Sequence, residues 1–423
     1  MKRFQYLFFT ACLFFWAELL VAQVNAPSPY PDRVVLNLTE EPSTSVAVTW
    51  RTDVSVSEGF CELQPAAEGP VKKEDSKTFR AKTTTVRYEY RDEPVIEASQ
   101  HSFVFTDLIP GKKYIYRVGA GDHWSEWFEY QTPSADDNKF SFIYLGDPQN
   151  DLKSQWSRVI RAAYSHAPDC GFMLYCGDLI NRAGRDVEWY EWFYAGSFIY
   201  GMVPQVMTPG NHDYDGLMLD PHWNVQFTQP LNGPKGLEGS CFVIDYKNLR
   251  LISIDSAADS ELRKEDGVKL EAQKVWLDSV LQANTKEWVI VTTHLPFYSP
   301  KENRDNKHLR GNFQPILEKY KVDLVLSGHD HSYGRGKFTD NPQNGHEVMY
   351  VVSVSGPKMY EAGDKEWMEH SGAFKQLYQV ISIDGNELNY ESFTADGELF
   401  DWFSLKKKKN GKTKFTGKNQ IQD

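Results

Sequence analysis

The sequence predicts an α/β protein preceded by a smaller all-β sandwich, and three observations carry that reading. Short alternating strand-like runs fill the segment before residue 133, a polar turn-forming break follows, and apolar runs then alternate with helical stretches. With 423 residues the chain exceeds one ordinary core, since domains usually run to roughly 100–200 residues.

The elements follow in order. Residues 1–26 begin Lys2-Arg3, continue as a mostly apolar run over 7–16 and end on small residues around Ala22 and Ala26, the order of a secretory signal peptide. This predicts an exported protein, secreted or periplasmic. Glu18 interrupts the run, so a cleaved signal is expected and not a stable membrane anchor. Residues 30–133 form the predicted sandwich, with Val46, Val48 and Trp50 on one face and further alternating runs at 102–105 and 114–118. Trp50 and Tyr116 suit a core of the immunoglobulin or fibronectin type, where inward aromatics fill the space between two sheets. Residues 133–138 are polar and turn-forming, and the second domain is placed at 138–405.

In that domain strands are predicted at 140–145, 171–175, 205–208, 288–292 and 322–326, with helices over 151–163 and 269–281. The stretch 242–254 reads as two strands joined at Tyr246-Lys247-Asn248. Asp384-Gly385 and Asp396-Gly397 mark hairpin turns near the end. The lysine-rich 406–423 reads as a solvated basic tail.

A net charge of -12 argues against a general nucleic-acid binder, which needs a basic face to release counterions. Cys61, Cys170, Cys176 and Cys241 are even in number, but a chain this long needs no disulfide framework, and Cys176 reads as a buried core thiol. The aromatic group Trp189, Tyr190, Trp192, Phe193 and Tyr194 reads as a packing face of a helix, with a wall of a binding cleft as the alternative. The loop 214–236 is the natural cover for a site.

Chemistry enters where the strands end. Five predicted strands run into Gly146-Asp147, Gly177-Asp178, Gly210-Asn211-His212-Asp213, His294, and Gly328-His329-Asp330-His331. In open α/β sheets, sites collect at the carboxyl ends of strands, so these residues converge on one pole. Two aspartates, an asparagine and three histidines suit a pair of divalent or trivalent metal ions (Fe, Zn or Mn) with one carboxylate between them. Such a pair holds a phosphate and activates a water, so no protein nucleophile is required. The remaining histidines, His101, His123, His166, His222, His346 and His370, lack such settings and read as surface or packing residues.

This ordered set of motifs resembles that of the calcineurin-like metallophosphoesterases. The GNHD sequence, Val291-Thr292-Thr293-His294 and GHDH-Ser-Tyr, together with the preceding sandwich, are most similar to the purple acid phosphatase branch. The resemblance implies a four-layer metallophosphatase β-sandwich flanked by helices. It implies that Asp178 bridges two metals, that Asn211, His294 and His329 hold one, and that Asp147 and His331 hold the other. It also implies a phosphate-facing or leaving-group role for His212, with Asp213 as its orienting partner, and a further substrate-facing role for His308. Two departures matter. Asn181 stands where the branch has the tyrosine that gives its colour, so a purple protein is not expected. Gln149 stands where other branches place a metal-binding histidine, and its amide oxygen is a candidate ligand.

The implied function is hydrolysis of phosphate monoesters by a metal-bound hydroxide, on a small-molecule phosphate ester. The alternative is a phosphodiesterase or nucleotide pyrophosphatase using the same metals. The intact ligand set argues against an inert binding protein.

Overall fold

The structure is a computed structural model that describes residues 25–258, 267–338, 347–409 and 413–418. The expected signal segment lies outside the described residues up to residue 24, and so does His346. Among the described residues no helix is long and apolar enough to cross a membrane.

The core of the larger domain forms between two sheets, and side-chain alternation explains how. In the strand Lys139–Leu145, Phe142 and Tyr144 face one way and Ile143 and Leu145 the other, as a period of two requires. The first pair joins Leu174, Cys176, Leu251, Ile290 and Leu326 in the layer between the sheets. The second pair packs with Trp156, Ile160, Trp189 and Trp192 beneath the helices Ser157–His166 and Asp186–Gly196. On the far side the helices Val268–Gln282 and Lys307–Lys319 cover the other sheet through Leu277, Leu281, Phe313 and Leu317. The result is helix, sheet, sheet, helix, the four-layer arrangement expected.

Topology brings the motif-bearing strand ends to one pole. Lys139–Leu145, Met173–Cys176 and Gln205–Thr208 are parallel neighbours in one sheet. Trp288–Thr293 and Leu324–Ser327 are parallel neighbours in the other. Phe242–Tyr246 and Leu249–Ile254 pair as an antiparallel hairpin at the expected turn. The strands Leu377–Asp384, Glu387–Thr394 and Leu399–Lys407 form the expected meander.

Two features differ from expectation. The basic stretch is not simply a solvated tail: Lys406 and Lys407 end a strand, and Thr413–Gly417 pairs antiparallel to it as the edge of the large sheet. Lys407 explains why a lysine is tolerated there, because its Nζ lies 2.8 Å from Asp323 and 4.6 Å above the Trp288 ring. The sandwich is also no separate bead. Its first strand, Asp32–Asn37, pairs parallel with Gln205–Thr208 through Asn37 and Gln205, so one half of the sandwich extends the central sheet. Its core, with Trp50 and Tyr116 each 1% exposed, is of the kind expected.

Candidate metal centre

Each motif is a strand end followed by a sharp reversal, and the backbone records the cost. Asp147, Asp178, His329 and His331 have φ values of 44, 50, 73 and 49°, in the left-handed region. That conformation costs a residue with a side chain on the order of 1–3 kcal/mol, and such strain persists where the surroundings force it at functional sites. The flanking glycines show how tight the reversals are. A Cβ on Gly210 would collide with the Asp178 carboxylate, and one on Gly328 with that of Asp147.

These turns gather two groups of side chains that share one member. Asp178, His294 and His329 form the first, and Asp147, Asp178 and His331 the second; within each group the ligand-type atoms lie within 4.8 Å of one another. All five residues are buried. Asn211 completes the first group, with its Oδ1 3.1 Å from His294 Nε2, and His329 Nδ1 lies 3.2 Å from the same nitrogen. Gln149 completes the second, its Nε2 donating to Asp178 Oδ2 at 2.6 Å and lying 3.4 Å from His331 Nε2.

Backbone carbonyls orient the rings. His294 Nδ1 donates to the Cys176 carbonyl at 2.8 Å, and His331 Nδ1 to that of Lys358 at 2.9 Å, which turns each Nε2 lone pair into the cluster. His212 follows the same rule at the margin. Its Nδ1 donates to the Asn181 carbonyl at 2.7 Å, and its backbone N–H donates to Asp178 Oδ1 at 2.8 Å.

The electrostatics fit bound cations. Asp147 Oδ1 and Gln149 Oε1 are buried with no hydrogen-bond partner, a costly state for a polar atom unless an ion meets it. Burial, opposed by His294 and reinforced by Asp178, pushes the Asp147 carboxyl well above the usual range. Burial also opposes a charge on His294, yet Asp178 and Asp147 together push its ring up to about 9. Burial holds His331 down at about 3, with Lys358 adding to the effect, so its ring is neutral and ready to donate a lone pair. Two closely placed carboxylates thus draw positive charge onto an imidazole, and a metal pair would supply that charge directly.

Most of the expected residues therefore meet: Asp147, Gln149, Asp178, Asn211, His294, His329 and His331, with His212 beside them. Two do not take the expected places. Asp213 turns away from the His212 ring, and its carboxylate accepts the N–H groups of Gly210 at 2.8 Å and Leu179 at 3.1 Å, stapling two motif loops together. His308 is exposed in the first turn of Lys307–Lys319, and among the described contacts its ring joins none of the cluster. Nearer the cluster, Arg304 pairs with the buried Asp330 between the two histidines of the last motif, and burial, with His294 and Arg304 adding to it, holds the His329 ring well below its usual value. The carbonyls of Cys176, Asn181 and Lys358 were also missed, because a backbone acceptor leaves no residue-type signal.

Gln149 yields a direct expectation. Its amide lies against Asp178 and His331, and its buried Oε1 has no hydrogen-bond partner, so Gln149→Ala should weaken one metal site by about 10–100-fold while leaving the other near its original affinity. Competitive metal titration with a fluorescent chelator measures both; two unchanged affinities would refute a ligand role.

Comparison with known proteins agrees with this geometry. Residues 140–333 match the family described as calcineurin-like phosphoesterase, and residues 31–132 match the purple acid phosphatase N-terminal domain. Residues 140–333 thus carry a calcineurin-like phosphoesterase domain, of a kind found in phosphoric ester hydrolases with a dinuclear metal centre. Within them the chain is purple acid phosphatase-like, carrying that group's N-terminal domain.

It is 29% identical to purple acid phosphatase 1 of Ipomoea batatas over 279 residues, 62% of this chain and 56% of that one. It is 26% identical to acid phosphatase type 7 of Homo sapiens over 388 residues, 85% of this chain and 84% of that one. Among solved structures, purple acid phosphatase PPD1 from yellow lupin (Lupinus luteus) seeds superposes with a TM-score of 0.72 at 17% identity, over 90% of this chain and 75% of that one, which speaks for the fold.

Proposed function

We propose that the chain hydrolyses phosphate monoesters at a metal pair bridged by Asp178. The observation that carries this reading is the shared carboxylate: two ligand groups meet at Asp178, and His212 is tethered to its Oδ1. Asn211, His294 and His329 would hold one metal, and Asp147, Gln149 and His331 the other. Bound metals supply Lewis acidity for the phosphoryl group and activate water as the nucleophile. The chain's own residues do the rest. His294 and His331 are locked by carbonyls so that they bind without reorienting, and His212 presents its free Nε2 to the phosphate or the departing oxygen. The reading includes export, on the strength of the charged, apolar and small-residue order of 1–26.

The test compares p-nitrophenyl phosphate with bis(p-nitrophenyl) phosphate on metal-loaded protein. The monoester should be favoured by about tenfold or more in kcat/KM. Equal or faster cleavage of the diester would replace this reading with that of a phosphodiesterase.

A further inference from the structure

The sandwich domain makes polar contacts that lead, bond by bond, to His212. The stretch between its strands Lys82–Tyr88 and Ile96–Phe105 carries Glu93, whose carboxylate accepts from Arg185 Nε at 2.6 Å. Arg185 Nη1 donates in turn to Glu188 Oε1 at 3.1 Å. The other oxygen of Glu188 accepts two successive backbone N–H groups, those of Asn181 at 2.7 Å and Arg182 at 3.0 Å. The carbonyl of the same Asn181 holds His212 Nδ1. The loop is held a second time at Gly184, whose N–H donates to the buried Asp220 at 2.8 Å. Glu188 is 9% exposed, so its charge-assisted bonds act where water competes little.

Asn181 is the residue that replaces the family's tyrosine. A tyrosine bonded to a metal anchors that loop directly; here the loop is anchored from outside, by Glu188 and, through Arg185, by the sandwich. We propose that Glu93, Arg185 and Glu188 form a strut by which the N-terminal domain positions the His212 ring, making them positioning residues for leaving-group departure. The proposal rests on the reading that His212 meets the substrate. A histidine that protonates a departing oxygen matters most for poor leaving groups and little for p-nitrophenolate, which leaves without a proton.

The experiment measures kcat and KM of the metal-loaded enzyme on p-nitrophenyl phosphate and on an alkyl phosphate, for wild type, Glu188→Ala, Glu93→Gln, His212→Ala and the Glu188→Ala/His212→Ala pair. Glu188→Ala should lower kcat on the alkyl ester by about 10–100-fold, with a much smaller loss on the aryl ester and little change in KM. Glu93 is about one-third exposed, so Glu93→Gln should act in the same sense by about threefold and keeps the test alive if Glu188→Ala does not fold. In the His212→Ala background, Glu188→Ala should add nothing to the leaving-group dependence. Equal losses on both esters in a folded, metal-loaded variant, or additive effects in the double variant, would overturn the strut. A His212→Ala enzyme with no leaving-group dependence would instead overturn the role of His212 itself, and the strut with it.

Discussion

Replacing Asp178 with asparagine should lower kcat/KM by about 10³-fold or more and reduce bound metal below two per chain. The exchange is nearly isosteric, so the fold should survive, but one of the two groups of ligands loses its charge and the other its shared oxygen. Asp178 Oδ1 lies 3.3 Å from His294 Nε2 and accepts the His212 N–H, while Oδ2 accepts from Gln149. An amide NH₂ in either place would point a donor at a cation. A clamp contribution of several kcal/mol corresponds to about a thousandfold in rate. Steady-state kinetics with metal analysis by plasma emission reads both effects, and a fully active variant with two metals would end the bridging assignment.

The second large effect concerns stability. Asp186 opens the helix Asp186–Gly196 and sits at the junction of the two domains, 4% exposed. It accepts from both Nη atoms of Arg33 at 2.8 Å, lies 3.5 Å from Arg51 Nη1, and lies 3.2 Å from His222 Nε2. Tyr88 stacks on that imidazole with ring centroids 3.5 Å apart. Asp186→Asn leaves Arg33 buried and short of charge, and removing one partner of a buried pair costs about 3–5 kcal/mol.

The pH dependence has a definite sign. Burial opposes the Asp186 charge, but Arg33, with His222 and Arg51, holds the carboxyl below its usual range. A depressed carboxyl contributes stability that is fully present above its unfolded-state value, near pH 4, and is lost as pH falls towards the folded value. Urea melts between about pH 5 and pH 2.5 should show wild type losing stability more steeply than Asp186→Asn. Parallel curves would mean that Asp186 is not the titrating group.

How far the sequence could be read differs by residue, for a physical reason. Asp147, Asp178, Asn211, His294, His329 and His331 were legible because each sits in a short motif whose glycine and strand flank are local features. Gln149 was legible as a departure at a defined offset. Asp213 was misread because adjacency in sequence suggested a partnership with His212, while its carboxylate found two backbone N–H groups in the motif loops. His308, expected to face the substrate, stands exposed in the first turn of its helix, apart from the cluster, because spacing along the chain does not place a ring after a loop and a helix start. His222 read as a surface or packing residue, and it is a packing one, fully buried between Asp186 and Asp220, whose carboxylates only the fold brings to its ring.

By itself, the sequence determined the layered α/β class, the all-β sandwich ahead of it and the motif residues that gather at one pole, because side-chain period and turn chemistry act over a few residues. Tertiary structure alone decided that the sandwich sheet continues into the central sheet, that the basic stretch ends in a paired edge strand, and that backbone carbonyls aim His212, His294 and His331. The first depends on strands 168 residues apart, and the others on main-chain hydrogen bonds open to every residue, and neither leaves a mark in the order of side chains.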